Sequence, residues 1–331
     1  MAFNINKMMG QNRDEKYIGL IKDIDFEPVF ILGLHRSGTS ILYKILASTQ
    51  RFNVVTAYHI LYYDSLLYNR MMKREEQAKR AFNEFLREKK QTDRVIDKLT
   101  ISADFPEEYG FLLDRVIPSR INRKNLPLFV EMCRKIQFIS DKNKPILLKN
   151  PWDFSNFIFI KKKLPNSKFI FIHRHPLKVI NSSMNTLRTL LKEKSVYSEL
   201  LSEIVKRAHE NPLIMITGDL LTGKLSVIGF IILTEILGGS TRYFTKNVHR
   251  IRKGMDYIEI KYEELCRQPD ETVTRIFEFL DMEPCKKSFE EFIKPRKLKL
   301  PKEIVFLKNY IHARLKHYFS HCGYDVEPHD I

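Results

Sequence analysis

An α/β fold, a doubly wound parallel sheet with helices on both faces, is predicted by three features of the sequence. Short apolar runs of strand length recur along the chain, each leads into a stretch of helical periodicity, and the first ends in a glycine loop of the phosphate-binding kind. Strands alternating with helices require crossover connections. Crossovers build parallel sheets, whose ligands gather at the carboxyl ends of the strands.

The first apolar run is Val29-Phe30-Ile31-Leu32. Gly33 and Gly38 let the following backbone curl close to a ligand, and a helix is expected over about Thr39 to Ser48. The amino end of that helix aims backbone N–H groups and a positive dipole end into the loop, which suits an anion. The spacing nearly spells a nucleotide-triphosphate loop: Gly33, four residues, Gly38, and Ser40 where a magnesium-binding hydroxyl would stand. Position 39, however, is Thr where that motif needs Lys, and Arg36 puts a guanidinium inside the loop instead. A short second strand is expected over residues 52–55. Helices are expected over 61–70 and 75–99, the latter amphipathic through Ala81, Phe82, Phe85, Val95 and Ile96. Residues 146–149, 169–172 and 257–261 supply the remaining strands.

A second constellation bears on what the loop holds. Residues 168–183 again read as strand then helix, with Arg174 at the strand end and Pro176 suited to a first helical position. A triphosphatase needs an acidic residue at the end of a second strand to organise magnesium, and here that place carries His173-Arg174-His175. Arg174 with Ser182 presents a planar fork and a hydroxyl, a pair suited to a lone terminal phosphate. His173 and His175 are expected to neighbour that phosphate rather than to bind metal, because no acidic or cysteine partners surround them.

With these motifs in order, the chain resembles the PAPS-dependent sulfotransferases, which bind 3'-phosphoadenosine 5'-phosphosulfate, and the loop His35-Arg36-Ser37-Gly38-Thr39-Ser40 is similar to that of bacterial-type members. Two further stretches resemble the family: Leu147-Leu148-Lys149-Asn150-Pro151, and Ile260-Lys261-Tyr262-Glu263-Glu264-Leu265 followed by Pro269 and the stretch from Phe277 to Leu280. The resemblance implies the sulfotransferase version of the doubly wound, P-loop-like fold, and PAPS as co-substrate with no metal. It further implies that Arg36, Ser37, Gly38, Thr39 and Ser40 cradle the 5'-phosphosulfate, and that Arg174 and Ser182 hold the 3'-phosphate. Lys149 matches a family lysine near the bridging oxygen.

Sulfuryl transfer to a hydroxyl also needs a proton acceptor. Tyrosylprotein-type relatives place a Glu just after the second strand, where this chain has Thr56-Ala57. Glu108, His59 and Glu107 remain as candidates, Glu107 and Glu108 lying in a Pro-Glu-Glu segment that some bacterial members share. The same two acids also suit the first turn of a helix for purely structural reasons. The catalytic set expected is therefore Glu108 or His59 with Lys149 and Arg36. A P-loop nucleoside or small-molecule kinase is the rival enzyme, and a nucleotide- or nucleic-acid-binding module the rival without catalysis.

Gross composition fits one domain. The chain has 331 residues, 44% of them hydrophobic, with no Pro/Gly/Ser-rich linker and no internal repeat. Residues 1–27 read as an amino-terminal extension, 28–285 as the core and 286–331 as a carboxyl-terminal helical segment. The extension lacks an apolar core of signal-peptide length, so a cytoplasmic location is expected. Cys133, Cys266, Cys285 and Cys322 are scattered without a C-x-x-C pair and read as reduced thiols. The net charge of +16 attracts polyanions. Its Lys and Arg are nevertheless spread through mixed-charge stretches such as 73–98, which argues for a solvated basic surface rather than a nucleic-acid partner. The most apolar stretch, 213–238, is interrupted by Asp219, Lys224 and Glu235, and its uninterrupted run is too short to span a bilayer core of about 30 Å. It is expected to be a buried helix or one wall of a pocket. Together with the aromatic-rich residues 58–68 it points to a hydrophobic alcohol, a sterol or lipid, as acceptor.

Overall fold

The computed structural model describes residues 12–327 except 97, 115–118, 286 and 294–298. Parts of the amino-terminal extension and of the segment 286–331 therefore lie outside the described residues. Five parallel strands form one sheet: β1 (Pro28–Leu32), β2 (Asn53–Val54), β3 (Ile146–Lys149), β4 (Lys168–His173) and β5 (Tyr257–Lys261), in the order β2-β3-β1-β4-β5. The chain passes from β3 across β1 to β4, so the strand order reverses beside β1. A crevice at the carboxyl ends is thereby left where a ligand can sit. Register brings Ile31 of β1 opposite Lys149 of β3 and Ile170 of β4.

Alternation along β1 assigns its residues to two cores. Phe30 and Leu32 join Leu148, Phe169 and Phe171 on one face, while Val29 and Ile31 join Leu147, Ile170 and Ile172 on the other. Both faces are covered, and for that reason the strands read as continuous apolar runs. The helices that bear on the site and its supports are α1 (Thr39–Ser48), α2 (Ala57–Leu61), α3 (Glu75–Glu88), α4 (Leu126–Ile139), α5 (Pro176–Lys192), α6 (Pro212–Thr222), α7 (Ser226–Asn247), α8 (Tyr262–Arg267), α9 (Pro269–Phe279) and α10 (Lys302–Cys322). The apolar residues of α10, among them Ile304, Ile311 and Leu315, enter the larger core. The four cysteines are free.

Three elements differ from expectation, each because tertiary partners override local pattern. The helix expected over 75–99 stops at Glu88. Lys90 is left-handed at φ 54, and the Gln91 N–H donates back to the Leu86 carbonyl at 2.9 Å, which closes the helix and frees Arg94 to reach Glu107. The helix expected over 61–70 breaks into α2, a tight turn at Tyr63–Ser65 and a helix at Leu66–Met71. Here the buried Lys135 ammonium takes the Tyr63 carbonyl at 3.1 Å, and the Arg13 and Asp14 amides take that of Asp64. Finally, 213–238 is not a buried helix. It forms α6 and most of α7, whose inner sides pack on α5 and α10 while the outer sides expose Leu213, Ile216, Ile228, Ile232 and Ile236. Among the described residues, one helix, Ser226–Arg250, is long and apolar enough by length and composition to cross a membrane.

Two polar devices hold the segments that carry the site. Asp153, fully buried just beyond β3, accepts from the Tyr109 hydroxyl (2.7 Å), the Asn150 and Asn156 amides (2.8 and 2.6 Å) and the Ile121 N–H (3.0 Å). Burial pushes its carboxyl up from the ordinary value while these donors pull it down. The cluster ties the end of β3 to the segment before Tyr109. After β2, Thr56 and His59 form a reciprocal cap on α2: the Thr56 N–H donates to His59 Nδ1 at 3.1 Å and the His59 N–H to Thr56 Oγ1 at 3.4 Å. Burial, reinforced by the Lys79 ammonium, lowers the His59 pKa to about 4.

Replacing Asp153 by Ala strands three buried side-chain donors and is expected to cost roughly 3 kcal/mol or more in denaturant unfolding. A loss below about 1 kcal/mol would show that the cluster holds nothing together. For His59, the unfolded imidazole binds its proton near pH 6.5 and the folded one only near 4, so stability is complete above pH 6.5 and falls as the pH drops toward 4, by roughly 3 kcal/mol. His59→Gln keeps a capping acceptor but cannot titrate. Melting at pH 5 and pH 7.5 should show a smaller acid loss in that variant; an equal loss in both proteins removes His59 as the cause.

Candidate functional site

The carboxyl ends of β1, β3 and β4 meet at the strand reversal, and the residues there form two adjoining groups. The loop after β1 is tight. The Ser37 N–H returns to the Leu34 carbonyl at 3.0 Å, Arg36 is left-handed at φ 70, and Gly38 stands at φ 103 as the residue before α1. A Cβ on Gly38 would lie 2.3 Å from the Tyr262 ring, and one on Gly33 would lie 2.5 Å from the Ile172 carbonyl oxygen. Both positions thus require glycine for contact, and Gly38 for its left-handed conformation as well. The loop is pressed against β4 and α8, leaving the amino end of α1 open to a ligand.

Arg36, Arg174 and Ser182 form the first group. The Arg174 Nη1 donates to the Arg36 carbonyl at 3.0 Å, and the Arg36 Nε donates to Ser182 Oγ at 3.2 Å. The Arg174 guanidinium lies over the Tyr262 ring, 4.4 Å from its centroid, which holds the fork flat. Tyr262 thereby backs both Gly38 and Arg174, and its neighbour Glu263 accepts from the His175 N–H (3.1 Å) and the Tyr324 hydroxyl (2.8 Å). His173 and His175 are engaged from behind rather than among these cations. The former contacts Tyr318 (2.7 Å) and Glu259 (3.1 Å), and the latter the Asp325 carbonyl (2.9 Å).

The second group centres on Lys149. Its ammonium, 1% exposed, donates to Ser40 Oγ at 3.0 Å and to Glu108 Oε1 at 2.6 Å. Burial pushes the Glu108 carboxyl up, but Lys149, then Arg94 and His35, outweigh it and hold the group below the ordinary carboxylate value. Glu108 is therefore an ionised acceptor beside a buried cation at neutral pH. Its neighbour Glu107 is saturated, accepting from Arg94 (3.3 Å), the Tyr197 hydroxyl (2.7 Å) and the Glu108 N–H (2.9 Å). The charges that act on His59 are those of Lys79 and Asp104, and its Nδ1 is committed to the α2 cap. The structure brings Glu108, Lys149 and Ser40 together and leaves His59 in a different charge environment.

His35 was not singled out from the sequence. It stands edge-on to Trp152, ring centroids 4.6 Å apart, with Nε2 buried and without a hydrogen-bond partner. Burial lowers its pKa, against the raising effect of Glu108 and with the further lowering effect of Lys149 and Arg36, so it is neutral near pH 7. Its place inside the glycine loop was the available signal. The aromatic-rich stretch 58–68 is structural: the hydroxyls of Tyr62 and Tyr63 bond to the Ala78 carbonyl and to Glu131, and the Tyr58 hydroxyl accepts from Asn69.

The arrangement can hold two anionic groups. Buried Ser37 Oγ and Arg174 Nε have no hydrogen-bond partner within the protein, and both belong to the loop and fork that face the crevice. An anion at the amino end of α1 meets helix N–H groups and Lys149; one beside Arg174 meets the guanidiniums and Ser182.

No curated protein sequence matches the chain. Among solved structures, the sulfotransferase STF9 from Mycobacterium avium superposes with a TM-score of 0.58 at 15% identity, covering 97% of this chain and 73% of its own. The sulfotransferase STF1 from Mycobacterium tuberculosis H37Rv gives 0.56 at 14% identity, covering 91% and 79%. At such identities the likeness is one of fold, and the fold shared is that of bacterial sulfotransferases. The sequence itself matches the model of the Sulfotransferase family over residues 28–211, a span of more than half the chain that begins at β1 and takes in the loop, Lys149, Arg174 and Ser182. The chain therefore belongs to the Sulfotransferase family.

Proposed function

We propose that the protein transfers a sulfuryl group from PAPS to an acceptor hydroxyl. The observation that carries this reading is the adjacency of two cation groups at one strand reversal, with Arg36 of the loop bonded to Ser182 and to Arg174. PAPS has two separated anionic ends, and the orphaned Ser37 Oγ and Arg174 Nε are polar atoms suited to them. In this reading the 5'-phosphosulfate lies against Arg36 to Ser40 at the amino end of α1, and the 3'-phosphate against Arg174 and Ser182. Bound there, PAPS supplies an activated sulfuryl group and leaves as PAP.

The chain's own residues do the rest. Lys149, already buried, neutralises charge on the departing phosphate oxygen, and Ser40 keeps its ammonium directed at the loop. Arg36 adds a second cation on the loop side. Glu108, ionised and 2.6 Å from Lys149, accepts the acceptor's hydroxyl proton as the oxygen attacks in line. We assign the base to Glu108 over His59 and Glu107 because the lone pairs of those two are committed elsewhere. Thr39 in the lysine place of a triphosphate loop, and basic rather than acidic residues at the ends of β3 and β4, favour sulfuryl over phosphoryl transfer from ATP. The acceptor we propose is a hydrophobic alcohol, in keeping with the apolar composition of residues 213–238. The four free cysteines fit a cytoplasmic setting.

Calorimetry with two cofactor analogues tests the donor. PAP should stabilise the protein in thermal shift where ATP–magnesium does not, and Arg174→Ala should weaken PAP by about 2 kcal/mol, roughly thirtyfold, with little effect on adenosine 5'-phosphosulfate, which lacks the 3'-phosphate. Equal weakening of both ligands rejects the assignment of Arg174, and stabilisation by ATP–magnesium alone selects the kinase reading.

Glu108→Gln keeps shape and removes basicity, so turnover with labelled PAPS should fall by roughly 100-fold or more while PAP affinity stays near the wild-type value. Full activity in this variant, with loss in the matched His59→Gln protein, would transfer the role of base to His59.

A further inference from the structure

Exposed aliphatic side chains concentrate on α6 and α7. On α6, Leu213, Ile216 and Leu220 recur at helical spacing, with Leu213 and Ile216 exposed to 74% and 65%. On α7, Ile228, Ile232 and Ile236 form a parallel stripe, Ile236 being 62% exposed, while Phe230, Thr234, Leu237 and Phe244 on its other side are buried. Two links set α7 and α10 side by side and parallel: Ser226 Oγ donates to Glu303 Oε1 at 2.9 Å, and the Tyr310 hydroxyl donates to Glu235 Oε1 at 2.6 Å. Val305 and Phe306 fall between these links, beside Ile228 and Ile232, and Phe306 is 79% exposed. An apolar face built from three helices marks an interaction surface rather than scattered exposure.

Charge selects the occupant. A second copy of a chain carrying +16 would bring like charges together, whereas an anionic surface is attracted. The flank is basic as well: Lys308 and Arg314 are paired with Glu327 and Glu235, but Lys299, Lys302 and Lys316 on or beside α10 and exposed Lys224 at the turn between α6 and α7 add further positive charge. The acids within the face are already satisfied, Glu235 by Arg314 and Tyr310, and Glu303 by Ser226. Aliphatic stripes plus one exposed aromatic, bordered by lysines, is the composition of helices that lie in a membrane interface. Crossing is opposed by the buried inner side of α7, which packs on α5 and α10.

We propose that α6, α7 and the first turns of α10 dock on an anionic bilayer surface, their aliphatic side chains entering the headgroup boundary and the flanking lysines meeting lipid phosphates. The inference goes beyond the sulfuryl-transfer reading and does not depend on it, because it concerns binding without donor or acceptor. Co-sedimentation of the full chain with extruded vesicles tests it. The protein should pellet with vesicles of phosphatidylcholine containing phosphatidylglycerol, less with phosphatidylcholine alone, and less again as salt is raised. The triple variant Ile216→Glu, Ile232→Glu, Phe306→Glu, at exposed positions where folding is not at stake, should keep the wild-type melting temperature and partition roughly tenfold or more weakly. Equal partitioning of variant and wild type overturns the proposal. So does absence of vesicle binding, whether the wild type is a monomer or a dimer that the variant splits; the split dimer would identify a second copy as the occupant.

Discussion

A single buried cation organises the site. The Lys149 ammonium sits at the carboxyl end of a central strand with 1% of the residue exposed, and an unpaired charge there would cost several kcal/mol in desolvation. It is therefore obliged to gather partners, and the partners come from distant parts of the chain: Ser40 from the first turn of α1 and Glu108 from the segment after the second strand. Three separately folded pieces are pulled to one point by the need to satisfy one ammonium. The Asp153 cluster works in the same direction, fixing the backbone just beyond Lys149 to Tyr109, next to Glu108. On the proposed reading, in which it neutralises charge on a leaving phosphate, such a cation costs no reorganisation at the moment of reaction, because folding has already placed it.

The other half of the site depends on contact rather than charge. Tyr262 lies where a side chain at Gly38 would collide with it, and its opposite role is to carry the Arg174 guanidinium on its face. One ring thus sets both the depth of the glycine loop and the orientation of the fork. Glu263, the next residue, anchors this ring's helix to the backbone after β4 and to Tyr324 near the end of α10. The tyrosine-glutamate pair at the start of α8 is in this sense a structural brace for the two anion cradles, and its distance from them in sequence hides that role.

Polar satisfaction and apolar exposure pull in different directions elsewhere. Around the crevice several buried polar atoms have no hydrogen-bond partner within the protein, among them His35 Nε2, Ser37 Oγ, Asn150 Oδ1, Arg174 Nε and Ser183 Oγ, and on the proposed reading some of them are completed by ligand atoms. On α6 and α7 the reverse holds: large aliphatic groups remain in water, although α7 buries Phe230, Thr234, Leu237 and Phe244 on its inner side.

The sequence by itself determined the strands, the glycine loop and the list of cations, because these rest on local rules. Apolar runs bounded by loops specify buried parallel strands, a Gly that must be left-handed specifies its own turn, and Pro176 marks the start of α5. Lys149, Arg36 and Arg174 are legible as strand-end or loop residues from their places relative to those runs, and Ser182 from its spacing eight residues after Arg174. Tertiary structure alone decided which acid meets Lys149. Glu107 and Glu108 are adjacent and chemically alike, yet Glu107 is consumed by Arg94 and Tyr197 and Glu108 is turned to the lysine, a distinction set by residues 13 positions before Glu107 and 90 positions after it. It also decided that His59 caps a helix, that α3 ends at Glu88 where Lys90 turns left-handed, and that the stretch 213–238 is buried on one side only. An all-round apolar pattern carries no period that says which side faces the core, so only packing against α5 and α10 could separate the buried stripe from the exposed one.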